Sequence, residues 1–90
     1  MTQLRVQFAR RLKALRIEKQ MTQEDLAKAA GVSTAFISSV ERGIHSPSFG
    51  TLESIAEALD VLVQDLFDFH DAGSPRRRRV GSRSGSALDS

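Results

Sequence analysis

The 90-residue sequence has no cysteine, tryptophan or tyrosine, and only two prolines. Without cysteine there is no disulfide framework, no thiolate zinc site and no thiol nucleophile. No stretch approaches the roughly 20 consecutive apolar residues of a membrane span. Met1 to Arg11 also lacks the apolar core of a signal peptide. These absences predict a soluble, cytoplasmic protein with no membrane partner. The length suits one small domain and excludes a two-domain enzyme.

Catalytic signatures are missing as well. His45 and His70 are the only histidines, and neither sits in a metal-ligand spacing. The nearest thing to a phosphate loop is Gly81 to Gly85, in a Ser- and Arg-rich stretch, and the serines lack a nucleophile elbow. Asp60, Asp65, Asp68 and Asp71 are loosely spaced and read as a solvated acidic surface rather than a cation site. The expectation is a protein that is not an enzyme and holds no cofactor and no metal.

Charge is present but uneven. The chain carries 13 Lys plus Arg and 11 Asp plus Glu, a net of +2. Residues 1–45 are net +4, residues 46–70 are net −5 without one basic residue, and residues 71–90 are net +3. A polyanion would therefore meet one face, built from the first half. Composition also changes near residue 71, where Gly, Ser and Arg replace the hydrophobes. Such a stretch buries too little apolar surface to offset ordering entropy. This divides the chain into a folded domain, 1–70, and a flexible tail, 71–90.

Within 1–70 the spacing predicts an all-α fold of five helices. The first runs from about Gln3 to Lys19, with Leu4, Phe8, Leu12 and Leu15 on one face. The second starts at Thr22 in a variant capping box completed by Asp25, buries Leu26, Ala27 and Ala30, and stops at Gly31. The third starts after the cap Ser33, points Ile37 and Val40 inward, and ends before Gly43. Only Gly31-Val32-Ser33 separates these two helices, so they cross steeply, as in a helix-turn-helix. A fourth helix, about 49–59, follows Ser48 and buries Leu52, Ile55, Ala56 and Leu59. A short fifth helix at about 62–68 carries Val63, Leu66 and Phe67.

Several short motifs now stand in a fixed order: Thr22-Gln23-Glu24-Asp25-Leu26-Ala27, Gly31-Val32-Ser33, Ile37-Ser38, Glu41-Arg42-Gly43, Pro47-Ser48, Thr51-Leu52 and Ile55-Ala56-Glu57-Ala58-Leu59. Together they resemble the XRE family of helix-turn-helix regulators, the phage repressor and Cro type. The resemblance covers about residues 5–68 without gaps. It is similar in particular to the controller proteins of restriction-modification systems, through Phe36-Ile37-Ser38, and to stand-alone repressors and antitoxins. The resemblance implies a lambda-repressor-like fold, double-stranded DNA as partner, and a homodimer on an inverted repeat. It also implies a phosphate-contacting Gln23 and an ion pair between Arg16 and Glu41. The chain departs from the family at Leu62, where a Ser or Thr cap is usual. It departs again at Thr34, Ala35 and Ser39, where relatives often carry Arg, Gln or Lys.

The residues themselves support DNA binding. A helix starting after Ser33 offers Thr34, Ala35, Phe36, Ser38 and Ser39 to base edges. Ser and Thr read either base and Ala or Phe can touch a thymine methyl, so direct readout is modest and DNA shape carries more weight. Gln23, at the amino end of a helix, suits a phosphate, and Arg42, His45 and Ser46 follow the reading helix as further phosphate contacts. Each residue also has a structural reading. Ser33 is first a cap, Phe36 either packs or touches DNA, Arg42 complements the helix end, and His45 is a solvated loop residue.

The acidic half has more hydrophobes than a monomer needs, and Leu62 and Phe69 are the candidate dimer patch. In the tail, Arg76-Arg77-Arg78-Arg79 and Arg83 have three readings: salt-sensitive DNA affinity, a segment for a protein partner, or a dispensable solvated end. The alternative overall function is an antitoxin or other interaction module whose tail binds a protein.

Overall fold

The computed structural model describes residues 2–69. Four α-helices and a closing 3-10 turn follow in order: α1 (Thr2–Glu18), α2 (Gln23–Ala30), α3 (Thr34–Glu41), α4 (Phe49–Leu59) and the turn Val63–Phe67. No strand occurs among the described residues. The proposed tail, 71–90, lies outside them.

Helix ends follow from local chemistry. At α2 the Asp25 amide donates to Thr22 Oγ1 at 2.9 Å, and the Thr22 amide donates to Asp25 Oδ2 at 3.0 Å. Those two bonds satisfy donors that a helix start leaves unpaired. The Thr22 amide, and after it the Thr22 side chain, hold the Asp25 carboxyl below the ordinary carboxylate range. Gly31 ends α2 at φ 76°, a left-handed conformation that glycine adopts at no steric cost. Ser33 Oγ then accepts from the Phe36 amide at 3.0 Å and opens α3. Ser48 Oγ does the same for the Thr51 amide, at 3.2 Å, to open α4. Asp60 ends α4 at φ 60°, a stop that needed no glycine because Asp tolerates this region.

One core joins all five elements. Leu12, Leu26, Ile37, Val40, Ile55, Leu59 and Leu66 are essentially inaccessible. α2 packs on both α3 and α4, while α1 packs on α3 and on the closing turn. Each Leu or Ile so placed contributes roughly 1.5–3 kcal/mol through burial.

Two sequence expectations need correction. The apolar face of α1 holds for Phe8, Leu12 and Leu15, but Leu4 is 53% exposed because it lines an open groove rather than the core. The expected fifth helix is a 3-10 turn. Leu62 has no side-chain oxygen, so the Asp65 carboxylate reaches back to the Leu62 amide at 2.9 Å and tightens the first turn. The Asp65 carbonyl accepts from the Asp68 amide, a bond to the third residue on, and from Arg11 Nε at 2.8 Å. Only Leu66 of this element is fully buried; Val63 and Phe67 remain partly exposed.

Candidate nucleic-acid interface

Helix α3 has only eight residues, so its orientation depends on what grips it. Ile37 and Val40 fix its back to the core. Its carboxyl end is gripped by a polar cluster. Arg16 Nε donates to Glu41 Oε2 at 2.7 Å and Arg16 Nη2 to Glu41 Oε1 at 3.1 Å, a two-pronged ion pair from α1 to α3. Arg16 Nη1 also donates to the Met21 carbonyl at 2.8 Å, which ties in the α1–α2 link. The two side chains are 11% and 3% exposed. Hydrogen bonding to Glu41, opposed by burial and helped by the opposite charge, raises the Arg16 pKa. Gln23 Nε2 completes the cluster, donating to Glu41 Oε1 at 3.0 Å.

The expected base-contact residues are not equally open. Thr34 and Ala35 face solvent, whereas Phe36, Ser38 and Ser39 are half-buried. Phe36 packs on the edge of the core and also stacks on His45, with ring centroids 6.4 Å apart and planes at 29°. The packed reading of Phe36 and the loop reading of His45 thus both hold, and the ring contact joins them. Arg42, His45 and Ser46 are exposed on the loop after α3. Arg5 Nη1 donates to the Ile44 carbonyl at 3.3 Å and steadies that loop from α1. Gln23 is half-buried, with one amide hydrogen given to Glu41. α3 itself carries no basic residue.

The candidate dimer residues separate. Leu62 is 62% exposed. Phe69 is half-buried, packs against the core and meets Phe67 edge-on at 6.1 Å. An open apolar groove of about 260 Å³ lies between the start of α1, the α3–α4 loop, the start of α4 and the closing turn. Leu4, Phe8, His45, Pro47, Phe49 and Phe67 line it. Among the described residues no cluster of His, Cys, Asp or Glu is placed to hold a metal ion. No helix there is long and apolar enough to cross a membrane.

Besides the Arg5 and Arg16 bonds to backbone carbonyls, sequence reasoning missed three ties. These are Gln23 to Glu41, Arg11 to the Asp65 carbonyl, and Phe36 to His45. The last lies nine residues apart across a loop, and only a folded chain brings the rings together.

Two short helices joined by three residues, the second anchored at its back and carboxyl end with its amino-terminal face open, define a helix-turn-helix domain. The chain belongs to the Helix-turn-helix (HTH_3) family, whose model matches residues 12–66. That family consists of DNA-binding transcription regulators of the XRE type, not enzymes. The control protein C.BamHI of Bacillus amyloliquefaciens is 32% identical over 77 residues, covering 84% of this chain and 95% of its own. The immunity repressor of Bacillus phage phi105 is 41% identical over 56 residues, covering 62% of this chain. This chain spans only 39% of that repressor's length. Among solved structures, the restriction-modification controller protein C.AhdI from Aeromonas hydrophila superposes with a TM-score of 0.69 at 36% identity, over 70% of this chain and 96% of its own.

Proposed function

We propose that this chain regulates transcription by binding an operator as a homodimer, with α3 in the major groove. The observation that carries this is the Arg16–Glu41–Gln23 cluster, which joins the end of α3 to the start of α2 and to α1. A short helix held this way offers a fixed face to a duplex and needs no ordering when it binds. Thr34 and Ala35 are the outermost base-reading groups, with Phe36, Ser38 and Ser39 closer to the domain. Small side chains let the helix sit deep, and sequence is read through methyl contacts, single hydrogen bonds and groove shape.

Phosphates are met on either side. The amide of Gln23, already oriented by Glu41, has a second hydrogen for a phosphate at the start of α2. Arg42, His45 and Ser46 serve the opposite strand from the α3–α4 loop. Dimerisation uses the acidic half, with Leu62 at the contact and Phe69 supporting it from the core edge. A two-fold pair of this kind sets its reading helices roughly 34 Å apart, one turn of DNA.

A DNA-selection experiment on the purified full-length protein, read by sequencing, tests this. An enriched inverted repeat with half-sites one turn apart is the expected result. Binding without enrichment that vanishes at moderate salt overturns the operator reading. Sedimentation that finds only monomer, with and without the selected duplex, overturns the homodimer.

A further inference from the structure

We infer that the open groove between the start of α1 and the α3–α4 loop is a binding site for a small aromatic carboxylate, and that this ligand competes with the duplex. The competition rests on the operator binding proposed above; the site itself does not.

The walls of the groove suit an aromatic body. Phe8 of α1, nearly buried, and Phe67 of the closing turn lie against each other in its lining, with ring centroids 5.3 Å apart and planes at 34°. Phe49, the first residue of α4, lines it too and is 86% exposed, the most open large apolar side chain among the described residues. Phe49 belongs neither to the core nor to its margin. A flat ring entering here meets phenyl groups from three elements, takes apolar area out of water, and gains the offset or edge contacts that aromatic pairs prefer. Small-molecule sites run to roughly 300–1,000 Å³, so a groove of about 260 Å³ suits one ring with its carboxylate rather than a large effector.

The polar part of the lining suits an anion. Arg5, His45 and Ser46 are its only polar side chains. Residues 46–70 are net −5, yet none of their acidic side chains lines the groove. Arg5 donates once, from Nη1 to the Ile44 carbonyl at 3.3 Å, and among the described residues it has no carboxylate partner. A guanidinium grips a carboxylate through two parallel bonds, and one guanidinium balances one negative charge, which favours a carboxylate over a phosphate monoester. The exposed His45 ring and Ser46 hydroxyl add one donor each.

His45 and Ser46 are also the groups assigned to phosphates above. A carboxylate held there occupies the same donors, so ligand and duplex exclude each other at this loop. By linkage each weakens the other by the same factor.

The test uses anthranilate, a fluorescent aromatic carboxylate, and its uncharged amide, anthranilamide, with the full-length protein. The chain has no tryptophan or tyrosine, so the probe's emission is read without interference. Anthranilate is expected to saturate at one per chain, and the amide to bind at least about 10-fold more weakly. Arg5→Gln should remove that preference while leaving amide binding unchanged. Phe49→Ala, at a side chain the fold does not use, should weaken both probes about 3-fold or more. Acid and amide that bind alike, no effect of either substitution, or no saturation below about 1 mM overturns the site. Sedimentation with saturating anthranilate should leave the oligomeric state unchanged; dissociation would show that a second copy fills the groove, and would also overturn it. On the selected operator, saturating anthranilate should lower affinity by a factor within the roughly 5–150-fold usual for coupled sites, and unchanged affinity overturns the competition. If the protein binds anthranilate but no duplex, the operator reading has failed and the site stands.

Discussion

Helix α3 and the closing pair, α4 with its 3-10 turn, are held by different means. α3 buries two residues and leaves its amino-terminal face open, and its grip comes from a cap at one end and the Arg16–Glu41–Gln23 cluster at the other. The closing pair buries Leu52, Ile55, Ala56, Leu59 and Leu66, and its charged groups face outward. The difference is the one the proposed function requires. A helix that presents a face to a ligand cannot bury that face, so directional polar bonds at its ends replace the missing apolar contacts. The closing pair, with a full apolar stripe, relies chiefly on packing, to which the turn adds the Arg11 bond to the Asp65 carbonyl.

The largest effect should come from breaking the polar grip. Arg16→Met keeps an unbranched apolar stem but leaves the Glu41 carboxylate, 3% exposed, without its cation. Removing one partner of a buried pair costs about 3–5 kcal/mol. Urea denaturation should show that loss, and a change below about 1 kcal/mol, the range of an exposed pair, would show that α3 needs no ion pair.

Breaking the apolar side comes next. Leu66→Ala removes the one fully buried residue of the closing turn and should cost about 2–5 kcal/mol. Denaturant midpoints decide this, and near-neutral behaviour would mean the turn is an appendage rather than the lid of the core.

Ser33→Ala sharpens the comparison at the other end of α3. It removes only the acceptor for the Phe36 amide, and the expected loss is about 1 kcal/mol. A calorimetric melt should place this substitution well below Arg16→Met. Equal losses would mean that the grip on α3 is shared evenly between its ends.

The smallest effect concerns pH. Thr22 holds the Asp25 carboxyl below its ordinary range, chiefly through its backbone amide and also through its side chain. A carboxyl lowered in the folded state stabilises the fold above its unfolded value, about 3.9, and that stabilisation is lost as pH falls through the folded value. The stability difference between the unsubstituted protein and Asp25→Asn should therefore be constant near neutrality and shrink below about pH 4. Equilibrium unfolding as a function of pH that gives a flat difference would remove the capping role.

Much of this was legible in the sequence because it is local. Ser33, Ser48 and the Thr22–Asp25 box act within three residues, and the stops at Gly31 and Gly43, both at φ 76°, follow from backbone sterics alone. The misreadings arose where periodicity outran the neighbours that would use it. Leu4 continues the apolar face of α1 by one turn, beyond the elements that would cover it. The segment after Asp60 has helical spacing, yet a missing cap and the Arg11 bond to the Asp65 carbonyl favour the tighter turn.

The sequence by itself determined the order of the elements, the caps that open α2, α3 and α4, the glycine stops of α2 and α3, and the inward stripe of these three helices, since these depend on residues within about a turn of one another. Tertiary structure alone decided how exposed the amino-terminal face of α3 is, that Phe36 stacks on His45 and that Gln23 bonds to Glu41. The two contacts span 9 and 18 residues of chain. They exist only once Leu12, Leu26, Ile37 and Ile55 have packed and brought distant side chains within bonding distance.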